Sequence, residues 1–149
     1  MPDPRQSVWF AFFNEVGIIA QLSRALLEAH LPDGLLLSHF SVLNHLVRVG
    51  DGATPLKLAR AFQVPKTTMT HTLAGLEERD LIRMAPNPKD ARSKCVWITD
   101  AGRTFREEAI ASLAPDIDRL AARLPEREIE ALLPGLATVR RVLDEDRDG

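Results

Sequence analysis

The sequence predicts a mainly α protein with a small β wing, in which a helix-turn-helix core is flanked by N- and C-terminal helices. Three observations predict it. Apolar residues recur every three or four positions along most of the chain, the spacing of one helical face. Only two short runs, residues 81–85 and 95–99, read as strands. Charge is unevenly placed: residues 54–99 hold eight Lys and Arg against four Asp and Glu, a net of +4, so the remainder carries −6 of the total of −2.

Residues 1–6 read as a disordered start. A helix over about residues 7–29 carries Val8, Phe12, Ile19, Leu22 and Leu26 on one stripe, and Trp9, Phe10, Phe13, Val16 and Ile18 widen it. Too many faces are apolar for a helix on the surface of a small monomer, so one side is expected to meet the protomer core and another a second chain. Pro32 and Gly34 mark residues 31–37 as a connection. Ser38 suits the N-cap of a helix to about residue 49, with Phe40, Leu43, Leu46 and Val47 inward, and Gly50-Asp51-Gly52 ends it. Thr54 and Pro55 open the next helix as N-cap and first helical residue, with Leu56, Ala59 and Phe62 inward. Gln63-Val64 is a tight turn. Pro65 suits the first turn of the helix that follows, where Met69, Leu73 and Leu76 share one face.

The two strands enclose residues 86–94, a turn-forming loop with three cations and one acid. Asp100 begins a long helix in which Phe105, Ala109 and Leu113 share a face. Pro115 cannot sit quietly inside a helix, which predicts a kink or break near Leu113. Beyond it Ile117, Leu120 and Leu124 resume the apolar stripe. Pro125 opens a last helix with Ile129, Leu132, Leu133, Leu136, Val139 and Leu143, expected to bend at Pro134-Gly135, and the charged residues 144–149 are expected to fray.

The face of residues 66–76 opposite the apolar stripe carries Lys66, Thr67, Thr70, His71 and Ala74, with no acid before Glu77. Short hydroxyls with a few cations suit phosphates and base edges, and the helix start offers free N–H groups to a phosphate. Helix, turn, helix, strand, basic loop, strand is the winged helix-turn-helix order. In it the second helix enters the major groove and the loop reaches a neighbouring groove or the backbone. Lys66 and hydroxyls such as those of Thr67 and Thr68 then hold phosphates, while Thr70 and His71, one turn in, reach base edges. A basic module in an acidic body localises the phosphate-facing surface.

On these residues the chain resembles the MarR-type transcriptional regulators. The resemblance is carried by Leu58-Ala59-Arg60 before the turn and Gly75-Leu76-Glu77-Glu78-Arg79-Asp80-Leu81-Ile82 after the recognition face. It continues in Asp90-Ala91-Arg92-Ser93-Lys94 in the wing and Ile98-Thr99-Asp100-Ala101-Gly102-Arg103 at the exit. It implies dimerisation helices in residues 1–37 and 101–149 around a DNA-binding lobe of residues 38–100. It also implies a homodimer whose recognition helices sit roughly 34 Å apart on a pseudo-palindromic operator in double-stranded DNA. The implied function is a sequence-specific regulator, a repressor released by a small aromatic or amphipathic effector. Arg92 resembles the wing arginine that enters the minor groove, with Lys89, Ser93 and Lys94 beside it and Asp90 orienting the loop. The effector zone would be lined by Trp9, Phe12, Phe13, His39 and Phe40, aromatics that core packing also explains. Asp80 departs from the family's usual glycine at the helix end, and His71 from its common arginine.

The length, 149 residues, suits one domain or one compact protomer. No run approaches roughly 18 uncharged apolar residues, because Asn14, Glu15, Gln21 and Arg24 interrupt the most apolar segment, and no signal peptide is legible. One cysteine gives no internal disulfide, and a cytoplasmic protein is expected. Cys95 reads as a packed, inert thiol rather than a redox sensor. His30, His39, His45 and His71 lack a metal-ligand spacing, and the absence of Tyr and of a Gly-rich phosphate loop argues against an enzyme. No cofactor is expected. The alternative is a winged helix used only for protein contact, which an acidic or apolar recognition face would have favoured.

Overall fold

The computed structural model describes all residues, 1–149. It divides into two compact units, Met1–Leu113 and Ala114–Gly149. The division falls at the break expected near Leu113. The first unit holds α1 (Pro4–Glu28), α2 (Leu37–Arg48), α3 (Pro55–Phe62), α4 (Lys66–Glu78), β1 (Ile82–Asn87), β2 (Asp90–Ile98) and α5 (Asp100–Ala111). The second holds α6 (Ala114–Ala121) and α7 (Glu126–Asp148). The expected fold class, mainly α with a two-stranded wing, is borne out.

α1 starts earlier than expected, so the disordered start is a correction. Asp3 is its N-cap: the Asp3 carboxylate accepts the Gln6 N–H at 2.8 Å and the Gln6 side chain accepts the Asp3 N–H at 3.1 Å. Pro4 follows as the first helical residue, where its missing N–H costs nothing. Of α1 only Leu27 is buried, while Val8, Trp9, Phe10, Phe13, Val16, Ile18, Ile19 and Leu22 are exposed. A second correction concerns apolarity. By length and composition alone this 25-residue helix is long and apolar enough to cross a membrane, because its polar interruptions are too sparse to offset its apolar residues.

The N-cap of α2 is Leu36, not Ser38. The free N–H groups there are met by one side chain of α2 itself and one from α1: His39 Nδ1 accepts the Leu36 N–H at 2.9 Å and Glu28 Oε2 accepts the Leu37 N–H at 3.2 Å. That bond, with Arg24, holds the Glu28 carboxyl below its ordinary range. His39, Val42, Leu43 and Leu46 are the buried face of α2, with Phe40 and Val47 only partly covered.

α3 is capped by Thr54, whose hydroxyl accepts the Lys57 N–H at 3.2 Å. Ala59 is buried and Phe62 packs against the core as expected, but the third inward residue is Leu58, fully buried, whereas Leu56 is 45% exposed and points out. Gln63 takes a left-handed φ of +53°. The Val64 N–H then reaches the Ala59 carbonyl at 3.0 Å and the Gln63 N–H the Arg60 carbonyl at 3.2 Å, the crossed pair of a Schellman turn. α4 ends the same way at Asp80, φ +58°, with Leu81 N–H to the Leu76 carbonyl and Asp80 N–H to the Glu77 carbonyl, both at 3.0 Å. Met69, Leu73 and Leu76 face inward as expected, joined by Thr72. They meet Leu43, Leu46, Leu58, Ile82 and Val96 in one core. Each such leucine contributes about 1.5–3 kcal/mol by leaving water.

The wing strands are longer than their sequence pattern suggested. β1 and β2 pair antiparallel from Ile82↔Ile98 to Pro86↔Lys94, and the register shifts before Asn87↔Asp90. Most of residues 86–94 is therefore strand, with residues 91–93 unpaired at the register shift and Pro88-Lys89 as the tip. A third segment lies along β2: the Gly52 N–H donates to the Val96 carbonyl and the Val96 N–H to the Ala53 carbonyl, both at 2.8 Å. Gly52, at φ +86°, packs under the Trp97 ring, which a Cβ there would approach to 3.1 Å.

In the second unit Pro125 is the N-cap of α7, which continues through Pro134 without interruption. Residues 144–148, expected to fray, are helical, and Arg147 pairs with Asp144 at 3.2 Å and Asp148 at 2.9 Å. No residue of α6 or α7 is buried. Ile117, Leu120, Leu124 and Ile129 line an open apolar groove of about 660 Å³ within this unit.

Candidate nucleic-acid interface

α4 begins without a side-chain cap, so the N–H groups of its first turn have no side-chain acceptor. Lys66, Thr67, Thr68, Thr70, His71 and Ala74 are exposed on it. This follows from the inward placement of Met69, Thr72, Leu73 and Leu76, which leaves the rest of the 3.6-residue period to solvent. Thr68 and Thr72 belong to the flank of α4 that faces α2, and Thr72 Oγ1 donates to the Thr68 carbonyl at 3.1 Å.

The wing presents its cations by a different route. Asp90 Oδ1 accepts the Arg92 N–H at 3.0 Å and its Nε–H at 3.1 Å. These bonds, the backbone one first, hold the Asp90 carboxyl below its ordinary range. The Arg92 side chain is nonetheless 91% exposed. Asp90 thus orients the wing and pairs with Arg92. Ser93 is used within the hairpin: its hydroxyl accepts from Asn87 Nδ2 at 2.9 Å, and Asn87 Oδ1 accepts the Lys89 N–H at 3.0 Å. Lys89 and Lys94 are exposed.

These two surfaces share one concavity of about 520 Å³. Lys66 lines it from α4, and Arg92, Ser93 and Lys94 line it from the wing. Asp90 is the acid in this groove, already paired with Arg92. Thr70, His71 and Lys89 are not among its lining residues. Sequence reasoning missed Thr54, Pro55 and Leu56, which line the groove from the start of α3. The periodicity of α3 placed Leu56 inward; reading the stripe from Pro55 through Leu58, Ala59 and Phe62 would have turned it outward.

The residues expected to form an effector zone lie apart from this groove. Trp9, Phe12 and Phe13 form a ring cluster on α1, with the Trp9–Phe13 and Phe12–Phe13 centroids each 5.8 Å apart. His39 is buried at 8% exposure and uses Nδ1 as a helix cap. Phe40 is half-buried. None of these five lines the cavity of about 460 Å³ bounded by Arg24, Ser38, Ser41, Phe62, Met69 and Thr72, which opens between the end of α1 and the α2–α4 face. Cys95 is buried as a free thiol, on the strand where packing was expected.

The same geometry recurs in known proteins. Residues 33–93 match the model of the MarR family. Among solved structures, the transcriptional regulator BldR from Sulfolobus solfataricus is 23% identical and superposes with a TM-score of 0.73, covering 95% of this chain and 99% of its own. Wild-type MarR from E. coli in its apo form is 24% identical, with a TM-score of 0.70 over 93% of this chain and 96% of its own. A mutant MarR from E. coli complexed with operator DNA is 24% identical, with a TM-score of 0.67 over 93% and 99%.

Proposed function

We propose, from the premise that residues 33–93 are a MarR-family segment, that the protein is a homodimeric, sequence-specific DNA-binding transcriptional regulator. The observation that carries this reading is the groove shared by the uncapped start of α4 and the basic wing, with Lys66 on one wall and Arg92 and Lys94 on the other. α4 enters the major groove, Thr70 and His71 read base edges, and Lys66, Thr67 and Thr68 hold phosphates with the free N–H groups. Arg92 leaves Asp90 for the minor groove, flanked by Lys89, Ser93 and Lys94. The operator complex of the similar E. coli MarR supports this placement.

A second copy of the chain covers the apolar surface that α1 and α7 leave exposed, and two-fold pairing matches a pseudo-palindromic operator. The protein works in the cytoplasm as a repressor, released by a small aromatic or amphipathic effector that binds between the dimerisation helices and the DNA-binding lobe, near Trp9, Phe12, Phe13, His39 and Phe40. Selection of bound sequences from a random duplex pool, repeated with candidate aromatic acids, tests it. Enrichment of a palindrome that such a compound abolishes supports the reading, and no enrichment at any salt concentration defeats it.

A further inference from the structure

His39 stands between the start of α2 and the middle of α4. Its Nδ1 accepts the Leu36 N–H at 2.9 Å, so the proton of the neutral ring is on Nε2. The Nε2 edge lies against Gly75, where an added Cβ would sit 3.0 Å away. Four residues on, at the C-cap of α4, Arg79 donates to the Asp33 carbonyl and packs against Gly34. The connection between α1 and α2 is thereby tied to α4 at two points.

The charged groups acting on the His39 ring are Arg79, the C-cap of α4, and His71 on α4, and neither is a carboxylate. On the α1 side Glu28 has its carboxylate taken up by the Leu37 N–H and Arg24. A second proton on His39 would go to Nδ1, where the Leu36 N–H already points. Two donors would then face each other, the cap would open, and a cation would be held in a poorly solvated site beside Arg79 and His71. Burial first, then Arg79 and His71, accordingly hold the imidazole below the ordinary histidine range.

We propose that His39 is a proton-operated latch on α4, holding the helix in its DNA-binding position when neutral and releasing it on acidification. This rests on the DNA-binding reading above. The sign follows from linkage. Because the folded state depresses the pKa, the stabilisation is fully present above the ordinary value of 6.5 and is lost as pH falls through the lower folded value.

The test is titration of the full-length protein onto a selected duplex at constant ionic strength, from about pH 8 to about pH 5. Wild type, His39→Gln and His71→Gln are compared. Glutamine keeps the cap without the proton, since Gln6 already accepts the Asp3 N–H in this way at the start of α1. Wild type should lose about tenfold in affinity for each unit by which DNA binding depresses the His39 pKa. Each variant is referred to its own affinity at the alkaline end: His39→Gln should show no such loss on acidification, whereas His71→Gln should retain it. Parallel profiles for wild type and His39→Gln would overturn the latch. If no variant binds DNA even at the alkaline end, the DNA-binding reading fails separately, and the latch is decided by thermal unfolding: the wild-type Tm should fall below pH 6.5 relative to His39→Gln, and identical pH dependence overturns it. If His39→Gln misfolds, NMR decides. A common midpoint for the His39 ring and the Gly75 amide supports the latch, and separate midpoints overturn it.

Discussion

The Thr99 hydroxyl donates to the Asp80 carbonyl at 2.6 Å, tying the end of α4 to the start of α5. The same oxygen accepts the Gly102 N–H at 3.0 Å as the N-cap of α5, and the Thr99 N–H reaches the Leu81 carbonyl at 3.2 Å. Asp80, held left-handed at about 1–2 kcal/mol of cost for a residue with a Cβ, is thus fixed from the far side of the wing. Gly102 completes the junction because a Cβ there would lie 2.1 Å from the Leu81 carbonyl oxygen and 2.8 Å from Ile98 Cγ1.

Gly102→Ala should therefore destabilise the protein by about 1–3 kcal/mol or more, since the obstructing atom is backbone. Thr99→Val should cost about 1–2 kcal/mol through the missing cap. Urea midpoints at constant m would show both, and the double mutant should lose less than the sum because the two residues share one hydrogen bond. An unchanged midpoint for Gly102→Ala would mean that α5 does not approach Leu81 this closely.

Arg92 should carry binding that is largely independent of sequence. Arg92→Ala is expected to weaken many duplexes by a similar factor. The log–log salt slope should fall by about one for each phosphate that is no longer neutralised, about two for a dimer. Titrations at several salt concentrations on a selected and a scrambled duplex measure this. Affinity and slope unchanged on both would remove the wing from the DNA.

Thr70 and His71 should behave differently. Thr70→Ala and His71→Ala are each expected to cost on the order of 1–3 kcal/mol on the preferred duplex and little on a scrambled one. Equal losses on both would reassign these side chains to phosphate binding.

The exposed apolar residues of α1 and α7 predict a dimer at micromolar concentration in sedimentation equilibrium. Deleting residues 1–20 should give an aggregated or unfolded product, because the apolar surface they cover on the partner would be left bare. A cooperative, soluble monomer of the full chain would contradict the assignment of α1 to a second copy.

Features set within a few residues were determined by the sequence alone. The Thr54-Pro55 start of α3, the Asp100 start of α5, the stripe of Met69, Leu73 and Leu76, and the break beside Pro115 depend on local capping, helical period and proline geometry, and all appear as read. The resemblance in residues 90–94 and 98–103 likewise pointed to the wing and its exit. Tertiary structure decided what depends on distant partners. α2 is capped by His39 and Glu28 instead of Ser38 because α1 brings a carboxylate to its start. The wing strands reach Asn87 and Asp90 because the Asn87–Ser93 bond and the pairing partners stabilise a tip whose composition suggests only a loop. Leu58 displaces Leu56 from the core because the orientation of α3 follows from what it packs against, which periodicity leaves ambiguous by one position. Only the folded chain brings Lys66 to the same groove as Arg92 and Lys94, because their separation in sequence carries no information about distance until the hairpin folds back beside α4.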